Sequence, residues 1–142
     1  MALPLDRLDW LAATLEHGRI QFASGRFFEA HETWEAAWRQ ESGAPRRLLQ
    51  GLILAAAAYH KMASQRQPRG MTLLLERALE QLGPLPDGFQ GLELERFRAG
   101  LERSLLEGRA WLAGGPVPAG PAPLGRRLST RQDEAAASPP GA

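Results

Sequence analysis

Two short stretches of this chain hold the residue types that could do chemistry. The first is His31-Glu32-Thr33-Trp34-Glu35-Ala36-Ala37-Trp38, and the second runs from Gln50 through Tyr59 to His60. On a helical wheel at about 100° per residue, Phe27, Phe28, His31, Trp34, Glu35 and Trp38 fall on one side. Glu29, Glu32, Thr33, Ala36 and Arg39 fall on the other. The side rich in large apolar residues is the inward one, so Glu35 is a carboxylate on a core face. Burying it alone costs several kcal/mol, so it needs a partner. His31 lies one turn away and can supply one. In the second stretch, Gln50, Ile53, Ala57 and His60 share a stripe that can face the first helix. The pattern predicts an internal polar cluster of His31, Glu35, Gln50 and His60, with Glu32 and Tyr59 at its border and Trp34 and Trp38 beside it.

Two chemistries fit such a cluster. Two imidazoles and a carboxylate make a workable ligand set, so His31, Glu35 and His60 could hold a divalent transition metal. The alternative is a hydrogen-bonded network that fixes how two helices pack. The spacing does not favour the metal. Glu35 stands where a zincin has its second histidine, and Ala57 stands where a Glu-x-x-His pair needs its acid. Glu32 and Glu35 lie three apart on one helix, not across a cleft as paired catalytic acids would. Trp34 and Trp38 could stack a planar ligand, but on an inward face they read as core. No glycine-rich phosphate loop and no Ser-His-Asp ordering is present. No catalytic residue is assigned and no cofactor is expected.

The elements that must position these residues are all helical. The spacing predicts helices over about residues 4–23, 26–42, 45–64, 71–82 and 92–112, broken at Ser24-Gly25, Gly43-Ala44-Pro45, Pro68-Arg69-Gly70 and Gly83-Pro84. Short loops make consecutive helices antiparallel neighbours, so the expectation is an all-α domain over residues 4–112. Beyond it, Pro, Gly and Ala make up 18 of the last 30 residues, and almost nothing is large enough to bury. That composition predicts a disordered tail over residues 113–142.

The 142 residues carry a formal charge of +1 and no cysteine. Disulfide scaffolds, thiol catalysis and cysteine-ligated metals are thereby excluded. Sixteen of the seventeen cations are arginine, and acids offset them, which argues against a dedicated nucleic-acid binder. The most apolar stretch, Leu48 to Tyr59, is well short of the ~20 residues a membrane-spanning helix needs. No basic-then-apolar leader opens the sequence, so the default location is cytoplasmic. Leu5, Leu8, Trp10 and Leu11 spread over more than one side of the first helix, leaving an apolar strip suited to a homodimer.

The string Gly25-Arg26-Phe27-Phe28-Glu29-Ala30-His31-Glu32-Thr33-Trp34-Glu35-Ala36-Ala37-Trp38, followed by Leu48-Leu49-Gln50-Gly51-Leu52-Ile53 and His60, resembles the signature of the "domain of unknown function 309" family of bacteria and archaea. The resemblance covers about residues 8–112 and implies a small all-helical domain. It places the family's shared positions at Glu29, His31, Glu32, Glu35, Trp38, Gln50, Gly51 and His60. The chain departs from the pattern after His60, where the family often has Gly-Asn and this sequence reads Gln65-Arg66-Gln67-Pro68. The family has no established activity. The leading expectation is therefore a cytosolic binding or self-association module. The rival is a metal-binding protein or metal-dependent enzyme using His31, Glu35 and His60.

Overall fold

A computed structural model describes residues 3–126, with side chains from Trp10 onward. Five α-helices follow one another: α1 (Leu3–Ala23), α2 (Phe27–Trp38), α3 (Gly43–Ala63), α4 (Pro68–Leu82) and α5 (Leu94–Leu112), with a 3-10 turn at Phe89–Gly91 before α5. The all-α expectation holds, and most helix ends fall within three residues of those read from the sequence. α2 is shorter than expected, because Ser42 is extended and Gly43, at φ 64°, turns the chain into α3. α4 begins at Pro68 and not beyond it, since proline's fixed φ and missing N–H suit a first turn.

Each consecutive pair of helices is antiparallel, and named contacts show it. The end of α1 meets the start of α2 through Phe22 and Phe27, while Trp34 Nε1, further along α2, donates to the Leu15 carbonyl of α1 at 3.3 Å. Phe27 and Trp38, at opposite ends of α2, meet Tyr59 and Arg46 at opposite ends of α3. α5 runs back along α4, pairing Arg109 with Glu76 at one end and Arg98 with the Leu82 carbonyl at the other. Phe22 closes the ring of contacts, 5.8 Å from Phe97 of α5 and 5.7 Å from Tyr59 of α3.

α3 is the central helix. Leu48, Leu49, Leu52, Ala55, Ala56, Ala58 and Tyr59 are all buried, and between them a stripe through Gln50, Leu54, Ala57 and His60 reaches the surface. Close approach depends on glycine at two places. A Cβ at Gly18 of α1 would overlap the Trp34 indole, and one at Gly51 of α3 would overlap Leu82.

The chain does not leave the bundle at residue 113. Residues 114–126 form a strap across the core, with Ala122 and Leu124 buried. The Ala122 N–H donates to the Tyr59 hydroxyl at 3.0 Å, and that hydroxyl donates to Ser104 Oγ at 2.7 Å. Glu93 N–H donates to the Gly125 carbonyl at 2.9 Å, and Arg126 bridges to Leu92. Arg19, held by Glu16, reaches the Leu124 carbonyl at 3.4 Å. The expectation of disorder from residue 113 therefore fails for 114–126; the rest of that predicted tail lies outside the described residues. Composition misled because small residues are what this contact requires. Gly100 has no side chain where Ala122 presses against α5, and the strap's backbone groups find partners that a disordered tail would lack.

Candidate functional site

The predicted internal cluster does not form. α2 buries Phe27, Ala30, Trp34 and Ala37, a stripe rotated by about 80° at 100° per residue from the one expected. The two alanines let α2 settle close against its neighbours, whereas a wheel weighted by large side chains turns the helix toward Phe28 and Trp38. The rotation lifts the predicted residues to the rim or beyond it. Glu35 is not indoors: its side chain is 38% exposed, and its carboxylate meets Arg39 one turn on at 3.4 Å. Glu32 faces solvent. His31 is partly buried and stacks on Phe28, with ring centroids 6.1 Å apart and planes 9° from parallel. His60, also partly buried, meets the same phenyl ring at 5.5 Å. Gln50 lies elsewhere, with Trp38 at the end of α2.

His31, Glu35 and His60 thus have separate partners, and the proposed metal triad is withdrawn. Among the described residues, no three His, Asp or Glu side chains converge where an ion could sit. Of the remaining predicted residues, Trp34 is wholly buried core. Tyr59 is buried too, but on the far side, in the strap network with Ser104 and Ala122. Burial pushes its phenol pKa up, so it stays protonated as the donor to Ser104. The strip offered for a homodimer on α1 is partial: Trp10 is 43% exposed, Leu11 is buried, and the side chains of Leu5 and Leu8 lie outside the described residues.

What the rotation creates is a surface along α2 and α3. At the α2 start, Phe28 is 49% exposed, an unusual state for a ring held by two imidazoles. With Gly25, Arg26, Glu29, His60 and Ser64 it lines a shallow cavity of about 460 Å³. The buried Nδ1 of His31 has no hydrogen-bond partner among the described residues. At the α2 end, the Arg46 guanidinium lies 3.9 Å over the Trp38 ring. Trp38, Gly43, Arg46, Arg47, Gln50 and Gln81 line a second cavity of about 330 Å³ there. Arg47 donates to the Gln81 and Glu80 carbonyls at the end of α4, which gives it a capping role. Arg46 has the stacking contact and, among the described residues, no ion pair, and the first turn of α3 carries no acid.

Residues 15–74 match the family described as "Domain of unknown function (DUF309)". The chain carries a DUF309 domain. The match begins in the middle of α1 and ends within α4, so it contains the whole α2–α3 surface and neither α5 nor the strap. Over 95 residues, 66% of this chain, the sequence is 30% identical to a protein of Aquifex aeolicus described as uncharacterized. That stretch is 28% of the Aquifex protein, so the chain spans less than a third of the relative's length. No helix among the described residues is long and apolar enough to cross a membrane. Phe28 is what sequence reasoning missed as a surface group. Counting Ala30 and Ala37 as core positions in the wheel would have exposed Phe28.

Proposed function

We propose that this DUF309 protein is a helical binding domain, not an enzyme, and that its recognition surface is the α2–α3 face anchored by Phe28. The observation that carries this reading is the half-exposed Phe28 ring, kept in one orientation by stacking on His31 and by His60. An apolar ring held rigidly at the surface gives up little side-chain freedom on binding and gains its burial. Rigid aromatic and arginine groups are the usual energetic anchors of interfaces, and this face pairs Phe28 at one end with Trp38 under Arg46 at the other. Acid–base chemistry has no comparable support here. Glu35 engages Arg39, Glu32 faces water, and the two imidazoles meet a phenyl ring.

The test is photo-crosslinking in the living cell, with benzoylphenylalanine in place of Phe28 and, separately, of Leu106 on the exposed side of α5. The face reading expects a discrete adduct from position 28 and none from position 106. No discrete adduct from position 28, or the same adducts from both positions, overturns it.

A further inference from the structure

The α2–α3 face has a property that a generic docking surface lacks: its two ends complement each other. Along α2 the exposed charges run Glu29, Glu32, Glu35 and then Arg39, and Arg46 and Arg47 follow at the start of α3. Among the described residues Glu29 and Glu32 make no ion pair, and neither does Arg46. Arg26 in the turn before α2 and Lys61 near the end of α3 oppose this gradient at the acidic end, but the Lys61 stem is laid across Gly70. Phe28 projects at that end, and the cavity lined by Trp38, Arg46 and Gln50 opens at the other. The separation between Phe28 and Trp38 is ten residues, about 15 Å at 1.5 Å per residue.

An acid-plus-phenyl end and a cation-plus-cavity end on one straight helix are what an isologous antiparallel pairing requires. From this geometry we infer that the occupant of the face is a second copy of this chain. The inference rests on the binding-face reading and names its partner. A twofold axis level with Thr33 sets Phe28 of each copy opposite Trp38 of the other. The phenyl ring enters the Trp38–Gln50 cavity beside the Arg46 guanidinium, where ring and cation attract. Glu29, which lines the hollow beside Phe28, then comes within a helical turn, measured along the axis, of Arg39 and Arg46 of the other copy. A face confined to two helices falls short of a standard interface, so the dimer is a reversible one, weakened by salt.

Sedimentation equilibrium of the full chain, from about 10 µM to 1 mM at low and high ionic strength, tests this. The wild type dimerises with concentration, and salt reverses it. Glu29→Arg alone puts cation against cation twice in the symmetric pair, and Arg46→Glu alone puts acid against acid twice. Each variant, folded by circular dichroism, becomes monomeric over the same range. An equimolar mixture of the two recovers dimer, because both contacts in the mixed pair are then of opposite sign. A monomeric wild type at 1 mM, or a dimer indifferent to both substitutions, overturns the second-copy inference. So does a mixture that stays monomeric while each variant remains folded. The crosslink from position 28 separates this failure from that of the binding reading. An adduct of twice the chain mass supports the second copy; a discrete adduct with another protein leaves the face and removes this occupant.

Discussion

Tyr59→Phe is the substitution that most directly tests how the strap is held. The phenol oxygen accepts the Ala122 N–H at 3.0 Å and donates to Ser104 Oγ at 2.7 Å, and all three residues are buried. Phenylalanine keeps the ring contacts with Phe22 and Phe27 and deletes only the hydroxyl. It therefore leaves a buried backbone donor and a buried serine without their partner. Each orphaned group costs about 1–3 kcal/mol, and the small cavity adds little, so the expected loss is about 2–4 kcal/mol. For a folded unit of this size that lowers Tm by roughly 8–15 °C. Urea unfolding followed by circular dichroism measures it. Ser104→Ala costs less, about 1–2 kcal/mol, because the Ala122 contact survives. The double variant costs less than the sum, since both singles break the same hydroxyl–hydroxyl bond. Tryptic cleavage after Arg126 should quicken in Tyr59→Phe, as the strap opens more often. A loss under about 0.5 kcal/mol with unchanged proteolysis refutes the reasoning, for it would mean that Ala122 finds no partner in the phenol.

Other consequences are simpler to measure. A chain ending at Ala113 loses the buried Ala122 and Leu124 and uncovers Tyr59; thermal melts should show it destabilised by about 3 kcal/mol or more. Unchanged melting would show that the strap contributes nothing. Glu35→Ala should alter stability by less than about 0.5 kcal/mol, as an exposed i, i+4 pair does; a loss of several would mean that the carboxylate is buried after all. Acid should loosen the α1 side of the strap. The Arg19 hydrogen bond, with Arg126 adding its charge, holds the Glu16 carboxyl below its usual 4.5. A depressed carboxyl stabilises the fold in full above its unfolded pKa, and that contribution fades as pH falls through the folded value. The Tm gap between wild type and Glu16→Gln should thus be present at neutral pH and close in strong acid; a gap that widens there contradicts it.

Helix number, order and approximate ends were legible in the residues, because they depend on local signals. Apolar spacing of three and four, Gly25, Gly43 and the proline-bearing turns act within a few residues of where they stand. The motif strings also pointed to the pair of helices that carries the proposed face. Which way those helices face was not legible. A wheel ranks positions by the size of their side chains, but α2 packs by its smallest ones, Ala30 and Ala37, and a rotation of about a fifth of a turn carries Glu35 from core to solvent. The strap was hidden for a related reason. Its cohesion comes from Gly100 making room for Ala122 and from Tyr59, 63 residues away, meeting a backbone N–H. Such contacts exist only once distant segments are brought together, so local periodicity and composition carry no trace of them. Periodicity determines that a helix forms and where it stops; its azimuth and its late-sequence partners are settled by close packing among all five helices at once.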